Sequence, residues 1–153
     1  MSWEDDAAAI AALEPRHVLF LCVANSARSQ MAEGLARALA PAGVKISSAG
    51  SEPAHLDPLA VKALAELGLD LRGQYSKRVE DVPTHDVDVV VTLCSEQVCP
   101  VFLGRARRVH WGLPDPRAVQ GDEETRLRAF RQVRDELNNR LVRVFGYCAP
   151  PHP

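Results

Sequence analysis

The chain has 153 residues, of which 46% are hydrophobic and 25% charged, with a formal net charge of −2. That describes an ordinary globular domain, large enough to bury a core, and argues against a general nucleic-acid binder, which would be basic. No apolar run approaches the roughly 18 residues that would span a membrane.

The chain opens with MSWEDDAAAIAALEP. Its apolar segment is short and its leading charges are acidic, the reverse of a secretory leader. Residues 1–15 are therefore expected to form a short helical or frayed extension ending at Pro15. A single domain over 16–146 follows, with a Pro-rich tail over 147–153 and a cytoplasmic location expected for the whole.

HVLFLC, 17–22, reads as a buried strand, almost wholly apolar. Arg28 to Leu39 has helical apolar spacing through Met31, Leu35, Ala38 and Leu39, closed by Pro41 and Gly43. Val44 to Ser48 is a second strand and AGSEP a loop. A helix over Pro58 to Leu67 stops at Gly68. Residues 69–86 are polar, with a short helical turn expected over Val79 to Val82. VDVVVTLC, 87–94, is the strongest strand signal, and VHW, 109–111, a shorter fourth. Two prolines flank Asp115 in a loop. Asp122 should cap one long helix to Phe145, whose apolar residues recur at spacings of three and four.

Strands alternating with helices imply an α/β domain with a parallel sheet covered on both faces. Working sites in such sheets lie beyond the C-terminal strand ends. Cys22, Cys94 and Asp115 all fall there.

Cys22, Cys94, Cys99 and Cys148 are the four cysteines. Without a leader, a disulfide framework is not expected. There is no CxxC pair, and His17, His55, His85, His110 and His152 show no ligand spacing, so no metal site is expected. A packing role is the default for His110, and a spare surface thiol for Cys148.

The loop after strand one, CVANSARS, joins a strand end to a helix start. Backbone N–H groups and the helix dipole make such a junction a cradle for a tetrahedral oxyanion. Arg28 can close it with a bidentate fork. The same potential favours a thiolate at Cys22, and Ser29 can donate a hydrogen bond to it. Cys22 could equally be a plain buried strand cysteine. The strand–helix junction and the arginine six positions on favour a nucleophile beneath a bound oxyanion.

CVANSARSQMAEG resembles the signature loop of the low-molecular-weight tyrosine phosphatase fold. With VVVTLC and HWGLPDP, it resembles that fold's thioredoxin-coupled arsenate reductase branch, from about His17 to Phe145. The resemblance implies a four-stranded parallel sheet in the order 2-1-3-4, flanked by helices. It implies that Cys22 attacks arsenate held by Arg28 and the amides of Val23, Ala24, Asn25, Ser26, Ala27 and Ser29. Asp115 would be the general acid, stiffened by its two prolines and buried beside the site.

A phosphatase needs only water to complete its cycle, whereas reducing arsenate takes two electrons. On this resemblance Cys94 attacks Cys22 and expels arsenite. Cys99 then attacks Cys94, leaving a disulfide for thioredoxin or a similar reductant. Arg117, Ala118 and Val119 follow the Asp-Pro pair where phosphatases usually carry aromatics, which favours a small inorganic oxyanion. Ala27 replaces a second loop cysteine found in many relatives, and the Cys94–Cys99 spacing is somewhat short. In some relatives a potassium ion is held near the loop by residues matching Asn25, Glu33 and Ser48 plus an acid. Lys77 stands at the acid's position, and its ammonium is expected to fill the cation's role.

The expected protein is thus a monomeric arsenate reductase with no bound cofactor, and with phosphate or sulfate as substrate mimics. The alternatives are a tyrosine phosphatase and a non-enzymatic oxyanion or redox sensor.

Overall fold

The computed structural model describes residues 2–95, 102 and 104–146. Helix α1 spans Trp3–Leu13, strand β1 His17–Cys22, α2 Arg28–Leu39, β2 Lys45–Gly50 and α3 Pro58–Ala65. Strands β3, Val89–Thr92, and β4, Arg107–His110, precede the long helix α4, Glu123–Phe145. Short 3-10 turns cover Val79–Asp81, Thr84–Asp86 and Pro116–Ala118.

The sheet is parallel throughout, in the order β2-β1-β3-β4. The central β1 is buried along its whole length, which is why its sequence is a continuous apolar run rather than an alternation. Its residues divide between two cores. Val18 and Phe20 join Val89, Val91, Val109 and the helices, whereas Leu19 and Leu21 join Val90, Val79, Val82 and Phe102. The four helices thus build the larger core. The second face is covered, among the described residues, by the 79–86 turns and Phe102.

Local signals account for the helix ends. Asp122 Oδ1 accepts the Thr125 N–H at 2.8 Å, and Gly146 closes α4 at φ +80°. Asp57 Oδ1 accepts the Leu59 N–H at 2.8 Å, with Pro58 in the first turn of α3. Ser2 caps α1, and Ala7 and Ile10 bury completely in the main core. The opening segment is therefore a packed helix rather than a frayed one.

Two strands differ from expectation. β3 is shorter than 87–94, although backbone bonds of Asp88 to His17 and of Leu93 to Leu21, at 3.0 and 2.8 Å, continue its ladder at both ends. β4 begins earlier, at Arg107. It is an edge strand with only Val109 buried, so its arginines face solvent and hide the strand from an apolar-run criterion.

Candidate active site

Cys22 ends β1, paired in register with Gly50 of β2, and is 2% exposed. The chain then loops through residues 23–27 into α2. Ala27, at the N-cap, offers no side-chain cap, so the first amides of α2 are not satisfied by a capping side chain. Arg28 and Ser29 open the helix and are buried beneath the loop.

Asn25 takes the left-handed backbone conformation, φ +47°, which asparagine tolerates better than most residues. Its surroundings hold it there. Its backbone carbonyl accepts from Ser76 Oγ at 2.6 Å and Gln30 Nε2 at 3.1 Å. Its side-chain Oδ1 accepts the Lys77 N–H at 2.9 Å. Its Nδ2 donates to Ser29 Oγ at 2.8 Å, and that hydroxyl lies 2.9 Å from Cys22 Sγ. With one lone pair of Ser29 engaged by Asn25, the hydroxyl is oriented beside the sulfur and can donate to it or accept from it.

The backbone of Gly50 runs close against the loop. A Cβ there would lie 2.5 Å from the Val23 carbonyl oxygen and 2.9 Å from the Asn25 nitrogen. Only glycine permits this approach. Gly50, Gln30 and Ser76 are site-supporting residues that the sequence did not reveal. The one available signal was a glycine at a strand end on the working edge.

Under the loop, Ser48 Oγ donates to Glu33 Oε1 at 2.6 Å, and Arg37 pairs with Glu33 Oε2 at 2.6 Å. The Lys77 ammonium donates to the Ser48 carbonyl at 2.8 Å and lies 3.9 Å from Glu33 Oε1. It also sits 4.6 Å from the centre of the Tyr75 ring. Burial lowers the Lys77 pKa, against the opposing pull of Glu33. Asn25 is thus held by the backbone of Lys77, while the ammonium ties β2 to the acid on α2.

Arg28 reaches across to the loop after β4. Its Nη1 donates to the Leu113 carbonyl at 3.0 Å, and its Nη2 lies 3.8 Å from Asp115 Oδ2. Asp115 also accepts the Arg117 N–H at 3.0 Å, capping the 3-10 turn. Its side chain is 29% exposed, more open than the burial expected of it. The carboxyl and guanidinium therefore face each other across the mouth of the cradle.

Cys94 is fully buried two residues beyond β3. The strand ladder continues to it through the Leu93 N–H, which donates to the Leu21 carbonyl at 2.8 Å. Cys22 and Cys94 therefore end neighbouring strands on one edge. Cys99 and Cys148 lie outside the described residues. His110 is exposed, and its Nδ1 lies 2.7 Å from Thr92 Oγ1, so it is not a packing residue. Among the described residues no cluster of three His, Cys, Asp or Glu side chains could hold a metal, and no helix is long and apolar enough to cross a membrane.

A model of the low molecular weight phosphotyrosine protein phosphatase family matches residues 17–147. The chain is 43% identical over 131 residues to an arsenate reductase of Bacillus subtilis, covering 84% of this chain and 94% of that protein. It resembles a solved arsenate reductase in a phosphate-binding state, with a TM-score of 0.73 and 32% identity, over 85% of this chain and 96% of the other. A thioredoxin-dependent arsenate reductase of Corynebacterium glutamicum superposes with a TM-score of 0.61 at 28% identity, over 90% of this chain and 66% of the other.

Proposed function

The chain belongs to the low molecular weight phosphotyrosine protein phosphatase family, and within it we propose an arsenate reductase that draws electrons from a dithiol reductant of the thioredoxin type. The observation that carries this reading is the position of Cys94. It is a second buried thiol, two residues beyond the strand that pairs with the one ending in Cys22. A phosphatase cycle has no use for it.

The steps balance as follows. Arsenate enters the cradle of residues 23–29 and is gripped by Arg28. The Cys22 thiolate attacks arsenic, forming an S–As bond, and an As–O bond breaks as Asp115 protonates the departing oxygen to water. Cys94, as a thiolate, then attacks the Cys22 sulfur. The S–S bond forms and the S–As electron pair stays on arsenic, which leaves as arsenite. The two sulfurs supply the two electrons. Cys99 next attacks Cys94 and returns Cys22 to its thiolate. The external dithiol reduces the Cys94–Cys99 disulfide.

No bound cofactor is required, because the electrons travel through sulfur. All the residues of the proposed relay belong to one chain, consistent with a monomer, and the chemistry suits the reducing conditions of a cytoplasm. Asn25, Glu33, Ser48 and Lys77 support the loop from below, with the Lys77 ammonium in place of a bound metal cation. Phosphate and sulfate, which share arsenate's tetrahedral shape, should compete for the cradle.

The test is arsenate turnover with thioredoxin and its reductase, comparing wild type with Cys94→Ser and Cys99→Ser. Cys94→Ser should produce no arsenite, and Cys99→Ser no more than one turnover's worth. If both variants turn over like wild type, the relay is wrong. Phosphate-ester hydrolysis that survives Cys94→Ser, without any arsenate turnover in wild type, would instead make the protein a phosphatase.

A further inference from the structure

Helix α1 lies outside the residues matched by the family model, which begin at 17. It is nevertheless built into the core through Ala7 and Ile10 and packs along α4. Its first residue, Trp3, meets Arg140 of α4, whose guanidinium carbon lies 5.3 Å from the Trp3 ring centre. The same carbon lies 5.6 Å from the ring centre of Trp111. One cation is therefore shared between two indoles, one on the N-terminal helix and one at the root of the segment that carries Asp115.

Trp111 is packed in the main core, and Arg140 is its one cation contact among the described residues. It is 1% exposed, and its indole N–H has no hydrogen-bond acceptor among the described residues. Backbone bonds from Trp111 to Thr92 and from Leu113 to Leu93, at 2.8 and 3.0 Å, tie the segment to β3. Beyond Leu113 the described backbone bonds of residues 114–119 stay within the turn. A cavity of about 360 Å³ lies beside the contact between that turn and α4, lined by Leu113, Pro114, Asp115, Val119, Val133 and Glu136 among others. Glu136 in turn accepts from Arg140 Nε at 3.4 Å. The turn rests on α4 at Pro116 and is pinned by the Arg117–Asp57 pair, but the cavity leaves the side of Asp115 unfilled. The position of Asp115 is thus set partly by the root of its segment, which Arg140 meets at Trp111.

We propose that α1 is a positioning element for the reaction: the Trp3–Arg140–Trp111 stack sets where the Asp115 segment leaves the sheet, and so where its carboxyl stands relative to Arg28. Trp3 and Arg140 touch no substrate and act through Trp111. The inference rests on the assignment of Asp115 as the general acid.

The test is a mutant cycle in the full chain, read as kcat/KM for arsenate and as the inhibition constant of inorganic phosphate. Trp3→Ala and Arg140→Met should each lower kcat/KM by roughly five- to tenfold, a loss typical of a displaced catalytic group. Phosphate inhibition should weaken by a smaller factor than kcat/KM, since Arg28 loses at most its Leu113 support, and Trp3→Phe should restore the rate. In an Asp115→Asn background, Trp3→Ala should cost nothing more, because there is no acid left to position. An equal loss in both backgrounds, phosphate affinity falling in step, or no loss from either single variant overturns the proposal. If Asp115→Asn itself leaves kcat/KM unchanged, the acid assignment has failed and the proposal falls with it. A loss in Asp115→Asn without one in Trp3→Ala and Arg140→Met removes the proposal alone.

Discussion

Arg28 and Asp115 face each other at 3.8 Å, Nη2 to Oδ2, while the other arm of the same guanidinium is fixed to the Leu113 carbonyl at 3.0 Å. The arginine proposed to grip the oxyanion is thus steadied by the segment that carries the proposed acid. Binding and protonation share one contact, so a change at Arg28 reaches both.

Arg28→Lys keeps the charge and loses the planar fork. An ammonium cannot hold Leu113 and an oxyanion in the same geometry. Removing a charge-assisted hydrogen bond costs about 1.5–3 kcal/mol, or roughly ten- to a hundredfold in affinity. Competitive inhibition by inorganic phosphate should weaken by that range, with arsenate turnover falling at least as far.

Gly50→Ala places a methyl 2.5 Å from the Val23 carbonyl oxygen and 2.8 Å from that of Cys22. Both are backbone atoms of β1 and the loop, and cannot swing aside. Overpacking of this kind costs about 1–3 kcal/mol. Urea unfolding should show that loss. The distorted loop should also bind phosphate more weakly, which a substitution merely destabilising the core would not produce.

Lys77 supplies a fixed cation where Ser48 and Glu33 meet, with its ammonium 2.8 Å from the Ser48 carbonyl. Exchanging potassium for sodium in the assay should leave wild-type kinetics unchanged. Lys77→Met removes the ammonium while retaining the backbone N–H that holds Asn25. It should raise the KM for arsenate by a few-fold, in line with the loss of one partly buried polar contact. A large potassium activation of wild type would contradict the assignment.

His17 adds a pH dependence at the opposite end of β1. It is 1% exposed, with Nε2 2.8 Å from Ser47 Oγ and Nδ1 3.5 Å from Asp86 Oδ2. Burial lowers its pKa below the ordinary 6.5, with the nearby Lys45 ammonium adding to the effect and Asp86 opposing it. Below that ordinary value the unfolded chain binds more protons than the folded one. The contribution is therefore full above pH 6.5 and is lost as the pH falls through the depressed folded value. His17→Gln can keep a bond to Ser47 and does not titrate. Its melting temperature should fall less than that of wild type on acidification from pH 7 to 5.

The elements legible in the sequence were those whose cause is local. HVLFLC reads as a buried strand because β1 is covered on both faces, and α4 is announced by Asp122 and by its recurring apolar stripe. Edge strand β4 was harder to place because its arginines face water. The packing of α1 was hidden for another reason. A short alanine-rich segment does not reveal whether it has a partner, and the partner is α4, more than a hundred residues away.

The same division applies to the site. The sequence by itself determined a cysteine at a strand end, an arginine in the first turn of the next helix, and the residue types for an oxyanion cradle, because a strand–loop–helix junction is built from consecutive residues. Only the tertiary structure decided what holds that loop in shape. Gly50 admits it, Ser76 and Lys77 clamp Asn25, and Leu113 steadies Arg28. Each of these contacts joins segments brought together by strand order. Hydrogen bonds and steric exclusion act over a few ångströms of space, whatever the separation along the chain.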